Sequence, residues 1–288
     1  MTVAEVRLWG RTIGAVSIED GESVAAFQYT PQFAASGIEI SPITMPLANR
    51  IYRFAALPLN TFHGLPGLLA DSLPDKFGNA LINAWLATQG LSPQSLNAVE
   101  RLCYTGARGM GALEFAPAVG PTRKSSAKVE IDALVQLASE VLSQRSDLTT
   151  SFADGKRARA LQDILRVGTS AGGARAKAVI AWSPATGEVR SGQINAGDGF
   201  EDWLIKFDGV AGNKDKELDD PQGYCAIEYA YYLMAQAAGV TMNECRLFEE
   251  NGRRHFMTRR FDRVKASGTS RKLHAQSLGA LADRKSVV

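Results

Sequence analysis

At 288 residues, 45% hydrophobic and 22% charged, the chain has the composition of a soluble globular protein with room for one large domain or two ordinary ones. No apolar stretch approaches the roughly 20 residues of a membrane span, and three widely spaced cysteines (Cys103, Cys225, Cys245) without a C-x-x-C pair indicate a reduced, cytoplasmic compartment with no zinc site. The net charge of +2 hides an asymmetry: residues 251–288 carry ten Lys/Arg against Asp262 and Asp283, which suits a phosphate-rich ligand or nucleic acid, or else a solvated face balanced elsewhere in the fold.

In chain order, 4–9, 12–17 and 23–28 predict short strands, broken by Gly10-Arg11 and Asp20-Gly21. Phe77, Leu81, Ile82 and Leu86 recur at helical spacing over 76–89, with Gly90 as the stop, and a short helix is expected over 96–102. Residues 104–115 read as a glycine-rich turn running into a strand. The Pro/Gly/Ser/Lys stretch 117–128 is a surface connection, and it sets the boundary between a domain at 1–120 and another at 121–288. Polar-faced helices are expected over 129–143 and 154–166. Then come the glycine-rich segment 166–177, a buried strand over 176–182, a hairpin turn at 184–187 and a second strand over 203–207. After a charged loop (208–220), Ile227, Tyr231, Met234 and Ala238 line one face of a helix over 221–238, which Gly239 ends. Strands over 245–250 and 255–261 pair across Asn251-Gly252, a strong hairpin signal.

The fold class is α+β: a small β-rich N-terminal subdomain, then an antiparallel sheet with helices. From residue 168 the order is glycine loop, strand, turn, strand with a lysine, helix with a glutamate, and hairpin. That is the order of a protein-kinase N-lobe.

The chemistry centres on Arg166–Lys177. Gly168, Gly172 and Gly173 allow close approach of backbone N–H groups to an anion, and consecutive N–H groups form a nest for phosphate oxygens. The loop is neither a Gly-Lys-Ser/Thr phosphate loop nor a dinucleotide fingerprint. Lys177 offers a cation beside it. Ser170 either bonds phosphate or accepts one, and the added charge of about −2 would expel the loop from a nucleotide's phosphates. Lys206 sits mid-strand between apolar residues. In kinases such a lysine contacts the α/β-phosphates and pairs with a helix glutamate, for which Glu228 is the candidate. An exposed lysine and an exposed glutamate that never meet fit the same pattern. The segment Thr258–Arg263 can form a hinge whose backbone at Arg259 to Phe261 meets a purine, or a basic strand end with no ligand.

Several ordered motifs resemble one family. Gly168–Lys177, Leu204-Ile-Lys206, Ile227-Glu-Tyr229, Met257–Arg263 and Leu273–Leu278, together with Trp9–Gly14, Leu69–Asp75 and Gly106–Leu113, look like the HipA family of type II toxin–antitoxin serine/threonine kinases. The resemblance runs from the first strands to about Ala282. It implies that Ser170, Ala171, Gly172, Gly173, Ala174, Arg175, Ala176 and Lys177, with Lys206, bind ATP phosphates. It further implies that Arg259, Arg260 and Phe261 contact adenine, and that Glu228 supports Lys206. Ser170 matches the serine whose autophosphorylation silences the kinase. The implied activity is transfer of the ATP γ-phosphate to a serine of glutamyl-tRNA synthetase, a component of the translation machinery, with growth arrest. The implied partners are a HipB-like helix-turn-helix antitoxin repressor and, through it, operator DNA, with no membrane. The family's catalytic and Mg²⁺-binding aspartates lie in a helical C-lobe beyond Val288, and the tail 283–288 no longer resembles the family. The expectation is therefore a C-terminally truncated chain that lacks catalytic and metal residues and is inactive alone, with Mg²⁺ bound only where a C-lobe is supplied. A non-catalytic remnant or binding module for the antitoxin or ATP is the alternative.

Overall fold

The structure, a computed structural model, describes residues 1–92, 95–119, 128–143, 175–193, 195–210, 221–266 and 269–282. The helix expected over 154–166 and the glycine loop as far as Ala174 lie outside them. Among the described residues four helices run eight residues or more: α1 (Lys76–Thr88), α2 (Ala98–Thr105), α3 (Ile131–Ser143) and α4 (Tyr224–Ala237). None is long and apolar enough to cross a membrane.

The chain forms two compact units, each assembled from separated segments. The first comprises Met1–Leu73, Leu96–Gly120 and Lys272–Val288, and the second Pro74–Ser95 and Pro121–Arg271. A single boundary at 120/121 separates the two main sheets, but it does not separate α1 or the segment after Lys272.

In the first unit five antiparallel strands lie in the order β4-β3-β2-β1-β5: β1 Thr2–Leu8, β2 Arg11–Ile18, β3 Ala26–Tyr29, β4 Ile51–Tyr52 and β5 Leu113–Ala116. Alternation does the sorting. Ala4, Val6 and Leu8 are buried while Val3 and Glu5 are exposed, as a half-buried strand requires. The β1–β2 hairpin turns at Trp9-Gly10, both with positive φ, the geometry a two-residue hairpin loop demands. Gly14 faces Tyr29 across the ladder, where a Cβ would lie 2.5 Å from the Gln28 carbonyl and 2.7 Å from the Phe27 ring. The core gathers Phe27, Tyr29, Phe62, Leu68, Leu102 and Phe115. Helix α2 begins at a capping box: the Glu100 N–H donates to Asn97 Oδ1 (3.0 Å) and the Asn97 N–H to Glu100 Oε2 (2.7 Å). That cap moves the helix two residues later than its expected start, and it runs through Tyr104 and Thr105.

The segment 272–282 is sewn into this unit. The Trp9 indole donates to the Lys272 carbonyl (2.8 Å), and the Lys272 ammonium reaches Glu114 (2.6 Å). Ser277 donates its N–H and hydroxyl to Asp71 (2.6 and 2.9 Å).

In the second unit the sheet order is β7-β6-β8-β10-β9, again antiparallel: β6 Lys177–Trp182, β7 Val189–Ser191, β8 Glu201–Lys206, β9 Cys245–Glu250 and β10 Arg253–Arg259. β6 is buried from Lys177 through Ala181, as a strand covered on both faces reads. Asn251-Gly252, both with positive φ, close the β9–β10 hairpin as expected. A short pair, β11 (Arg263–Ala266) and β12 (Thr269–Lys272), follows.

Helix α4 packs on β9 and β10. The face expected from its apolar spacing is not the one it buries. Ile227, Tyr231 and Met234 are 53%, 66% and 55% exposed, whereas Cys225 and Tyr232 are buried beside half-buried Tyr229. Glu228 is the only charged residue in the helix, so no polar stripe marks an outer face.

Candidate functional site

The described part of the expected site lies on the first residues of β6, the end of β8 and the first turns of α4. Antiparallel register places Lys177 directly opposite Lys206. Two ammonium groups on neighbouring strands repel unless carboxylates intervene, and here each has one.

Lys206 donates to Glu228 Oε1 in an ion pair whose partners are both about one-quarter exposed. The lysine also lies over the Phe256 ring, 5.7 Å from its centroid. The strand lysine and the helix glutamate therefore meet. Arg175 shares Glu228, with Nη1 3.5 Å from Oε2, and its guanidinium covers the Tyr224 ring at 5.1 Å. Glu228 thus joins the residue that follows the glycine loop to the β8 lysine.

Lys177 is placed differently. Its side chain is 4% exposed, and its ammonium lies 2.5 Å from Asp75 Oδ2 and donates to the Arg175 carbonyl at 3.1 Å. Burial holds Lys177 below the usual lysine range; Asp75 opposes this, Lys206 adds to it, and Glu228 opposes it in turn. Asp75 also caps α1, accepting the Gly78 N–H on Oδ1 (2.7 Å). One carboxylate therefore ties the start of β6 to the start of a helix. Sequence reasoning does not single out Asp75; an aspartate just ahead of a periodic apolar run is the signal that could have marked it as a cap, but nothing local shows that its second oxygen meets Lys177.

The residues read as a hinge also divide. The Arg260 guanidinium is buried against Asp262 in a two-pronged pair (2.8 and 2.7 Å), with Arg263 on the same carboxylate at 2.7 Å. Burial, with Arg260 next in size, lowers the Arg263 pKa to about 10. The Arg259 N–H donates to the Glu244 carbonyl (2.8 Å) and the Arg260 N–H to the Asp202 carbonyl (2.9 Å), while Asn243 donates to the Arg259 carbonyl (3.1 Å). Phe261 is 59% exposed. Ala176 is fully buried in front of β6. Ser170, Ala171, Gly172, Gly173 and Ala174 lie outside the described residues.

Chemically, the arrangement offers two part-exposed cations, Lys206 and Arg175, held side by side on one carboxylate. A third cation is committed to Asp75. An anion can draw on the first two without uncovering a buried charge.

Comparisons with known proteins bear on the family and the fold. A family model described as HipA N-terminal domain matches residues 4–116, and one described as HipA-like C-terminal domain matches residues 169–286. No curated protein matches the chain. Among solved structures, a chain of the Shewanella oneidensis MR-1 toxin–antitoxin complex of HipA, HipB and its operator DNA is similar, with a TM-score of 0.55 at 18% identity. The match covers 95% of this chain and 54% of that one, so this chain spans about half the length of the solved relative. At that identity the likeness establishes the fold: mixed α/β with antiparallel sheets, as in HipA.

Proposed function

The chain belongs to the HipA family, and from that premise we propose that its second unit is the nucleotide-binding N-lobe of a HipA-type serine/threonine kinase. The observation that carries this reading is the Lys206–Glu228 pair on β8 and α4. A strand lysine held by a helix glutamate is the device that protein kinases use to present an ammonium to the α/β-phosphates. ATP fits the described residues, because Lys206 and Arg175 keep part of their surface in solvent while their shared carboxylate orients them. When bound, ATP supplies the γ-phosphoryl group for transfer to a protein serine.

The chain's own residues hold and orient that nucleotide. Lys206 and Arg175 meet the phosphates, and loop residues Ser170 to Ala174, which precede Arg175 in the chain, contribute further backbone N–H groups. Lys177, buried on Asp75, anchors β6 instead of contacting phosphate. At the hinge, the N–H groups of Arg259 and Arg260 are engaged within the protein. Purine recognition therefore falls to the Arg260 carbonyl and the Phe261 backbone, with the exposed Phe261 ring at the rim. Among the described residues no group of three His, Cys, Asp or Glu is placed to hold a metal ion. Ser170 serves as the regulatory phosphorylation site. The substrate class is a serine of a translation protein, and the partner a HipB-like helix-turn-helix repressor on operator DNA. The solved relative's assembly with HipB and operator DNA supports that choice of partner.

The test is calorimetric titration of the purified chain with a non-hydrolysable ATP analogue. Lys206→Ala is expected to weaken binding by tenfold or more, about 1.4 kcal/mol. Equal affinity in the variant and the parent would overturn the reading.

A further inference from the structure

We propose that Asp208 and His255 form a positioning clamp that sets α4 on the sheet so that Glu228 meets Lys206. The inference rests on the N-lobe reading for its functional consequence, but its geometric part stands independently. Asp208 follows Lys206 by two residues at the end of β8, and its side chain is buried. Its Oδ1 accepts the Gly223 N–H at 2.7 Å, and its Oδ2 lies 3.4 Å from the Arg254 N–H.

Gly223 is the N-cap residue immediately before α4. It has φ 101° and no side chain with which to cap the helix. From just beyond β8, Asp208 accepts the N–H of the N-cap residue itself, the bond that an N3 glutamate makes in a capping box, and it places a negative charge at the positive end of the helix dipole. A helix rises about 1.5 Å per residue, so an anchor at Gly223 fixes the rotation and height of Glu228 less than two turns on. The Cys225 thiol, 3.5 Å from the Lys206 carbonyl, adds a weak contact in between.

Asp208 is itself held from β10. Its N–H donates to His255 Nδ1 at 2.9 Å, and the Arg253 guanidinium donates to the carbonyls of Asp208 (2.8 Å) and Gly209 (3.1 Å). His255 is fully buried between the rings of Phe207 and Phe248. Accepting at Nδ1 requires the neutral ring with its proton on Nε2. Burial keeps the ring neutral by pushing its pKa down to about 4, Asp208 opposing and Arg253 assisting. Nε2 finds no hydrogen-bond partner among the described groups, so the bond this ring makes is the one it accepts from Asp208.

The experiment measures the clamp apart from nucleotide binding. The coupling between Lys206 and Glu228 is obtained from Lys206→Met, Glu228→Gln and the double variant by chemical denaturation, in the parent and in an Asp208→Ala background. The expected result is loss of about half or more of the coupling in Asp208→Ala, with most of it retained in Asp208→Asn, which keeps an acceptor for the Gly223 N–H. Affinity for the ATP analogue should fall about tenfold in Asp208→Ala and recover in Asp208→Asn. Unchanged coupling in Asp208→Ala overturns the clamp. Lost coupling in a parent that binds no nucleotide leaves the clamp standing and removes the N-lobe reading. Where Asp208→Ala does not fold, His255→Asn and His255→Leu decide: the amide oxygen of Asn can accept the Asp208 N–H and should preserve the coupling, whereas Leu should not. Equal coupling in those two variants would also refute the proposal.

Discussion

The two units bury different things. Among the described residues, the buried polar groups of the first unit are Ser41, Ser72 and Thr105, and none carries a charge. The second unit encloses Lys177, Asp208, His255, Arg260 and Asp262. An apolar interior such as Phe27, Tyr29, Phe62 and Phe115 gains stability in proportion to the area it removes from water. Buried ion pairs gain little, because the cost of desolvating two charges consumes most of their attraction. What such pairs supply is direction, since each fixes the relative placement of the elements that carry it. The first unit thus rests on apolar burial, whereas the second adds buried charges whose partners are set by the fold.

The strongest test of this contrast is Asp262→Ala. It leaves two buried guanidiniums, Arg260 and Arg263, without their carboxylate, and is expected to cost the second unit about 3–5 kcal/mol in urea denaturation. A loss below about 1 kcal/mol would mean that water reaches these charges and that the contrast fails. Phe27→Ala should cost the first unit a similar amount, about 3–5 kcal/mol, by opening a cavity. Both groups are buried, so neither loss should change much between low and high salt.

A somewhat smaller effect is expected from pH. The His255 pKa in the folded chain is about 4, below the roughly 6.5 of a free histidine. Between these values the unfolded chain binds a proton that the folded chain does not. Stability should therefore fall as pH drops below about 6.5, by up to about 3 kcal/mol, and this contribution should level off below pH 4. Amide exchange in β10 at pH 7, 5.5 and 4 reads the loss. His255→Asn should remove it, and an unchanged pH profile in that variant would assign the effect to other groups. The smallest expected effect is Asn97→Ala, which breaks the capping box of α2 for about 1 kcal/mol and should be confined to amides of the first unit.

Much of this organisation is legible in the residues. The Asn251-Gly252 hairpin, the β1 and β2 alternation and the periodicity of 76–88 follow from local stereochemistry, where each residue's preference agrees with its neighbours'. Lys206 and Glu228 stand out because charged residues amid apolar ones need a reason. Other features have no local signature. Helix α4 is apolar nearly all round, so its spacing identifies a helix but not the side that packs, and the buried side proved to be Cys225 and Tyr232. The basic residues at 259–263 look alike in sequence, yet Arg260 and Arg263 are committed to Asp262 while Arg259 remains half exposed. Lys177 reads as a phosphate ligand, and nothing near it in sequence points to Asp75, about a hundred residues earlier, as its ion-pair partner.

The sequence by itself determined the family, most of the strands and helices, and the two residues at the centre of the candidate site. These depend on interactions within a few positions of one another, or on motifs kept in order along the chain. Only the tertiary structure decided that 272–282 belongs with the first unit, that α1 belongs with the second, and that Lys177 is buried against Asp75. It also placed Asp208 and His255 under the start of α4. Each of these depends on groups far apart in sequence meeting in a site of low dielectric. There a charge must find a partner wherever the fold brings one, and local sequence carries no record of which partner that is.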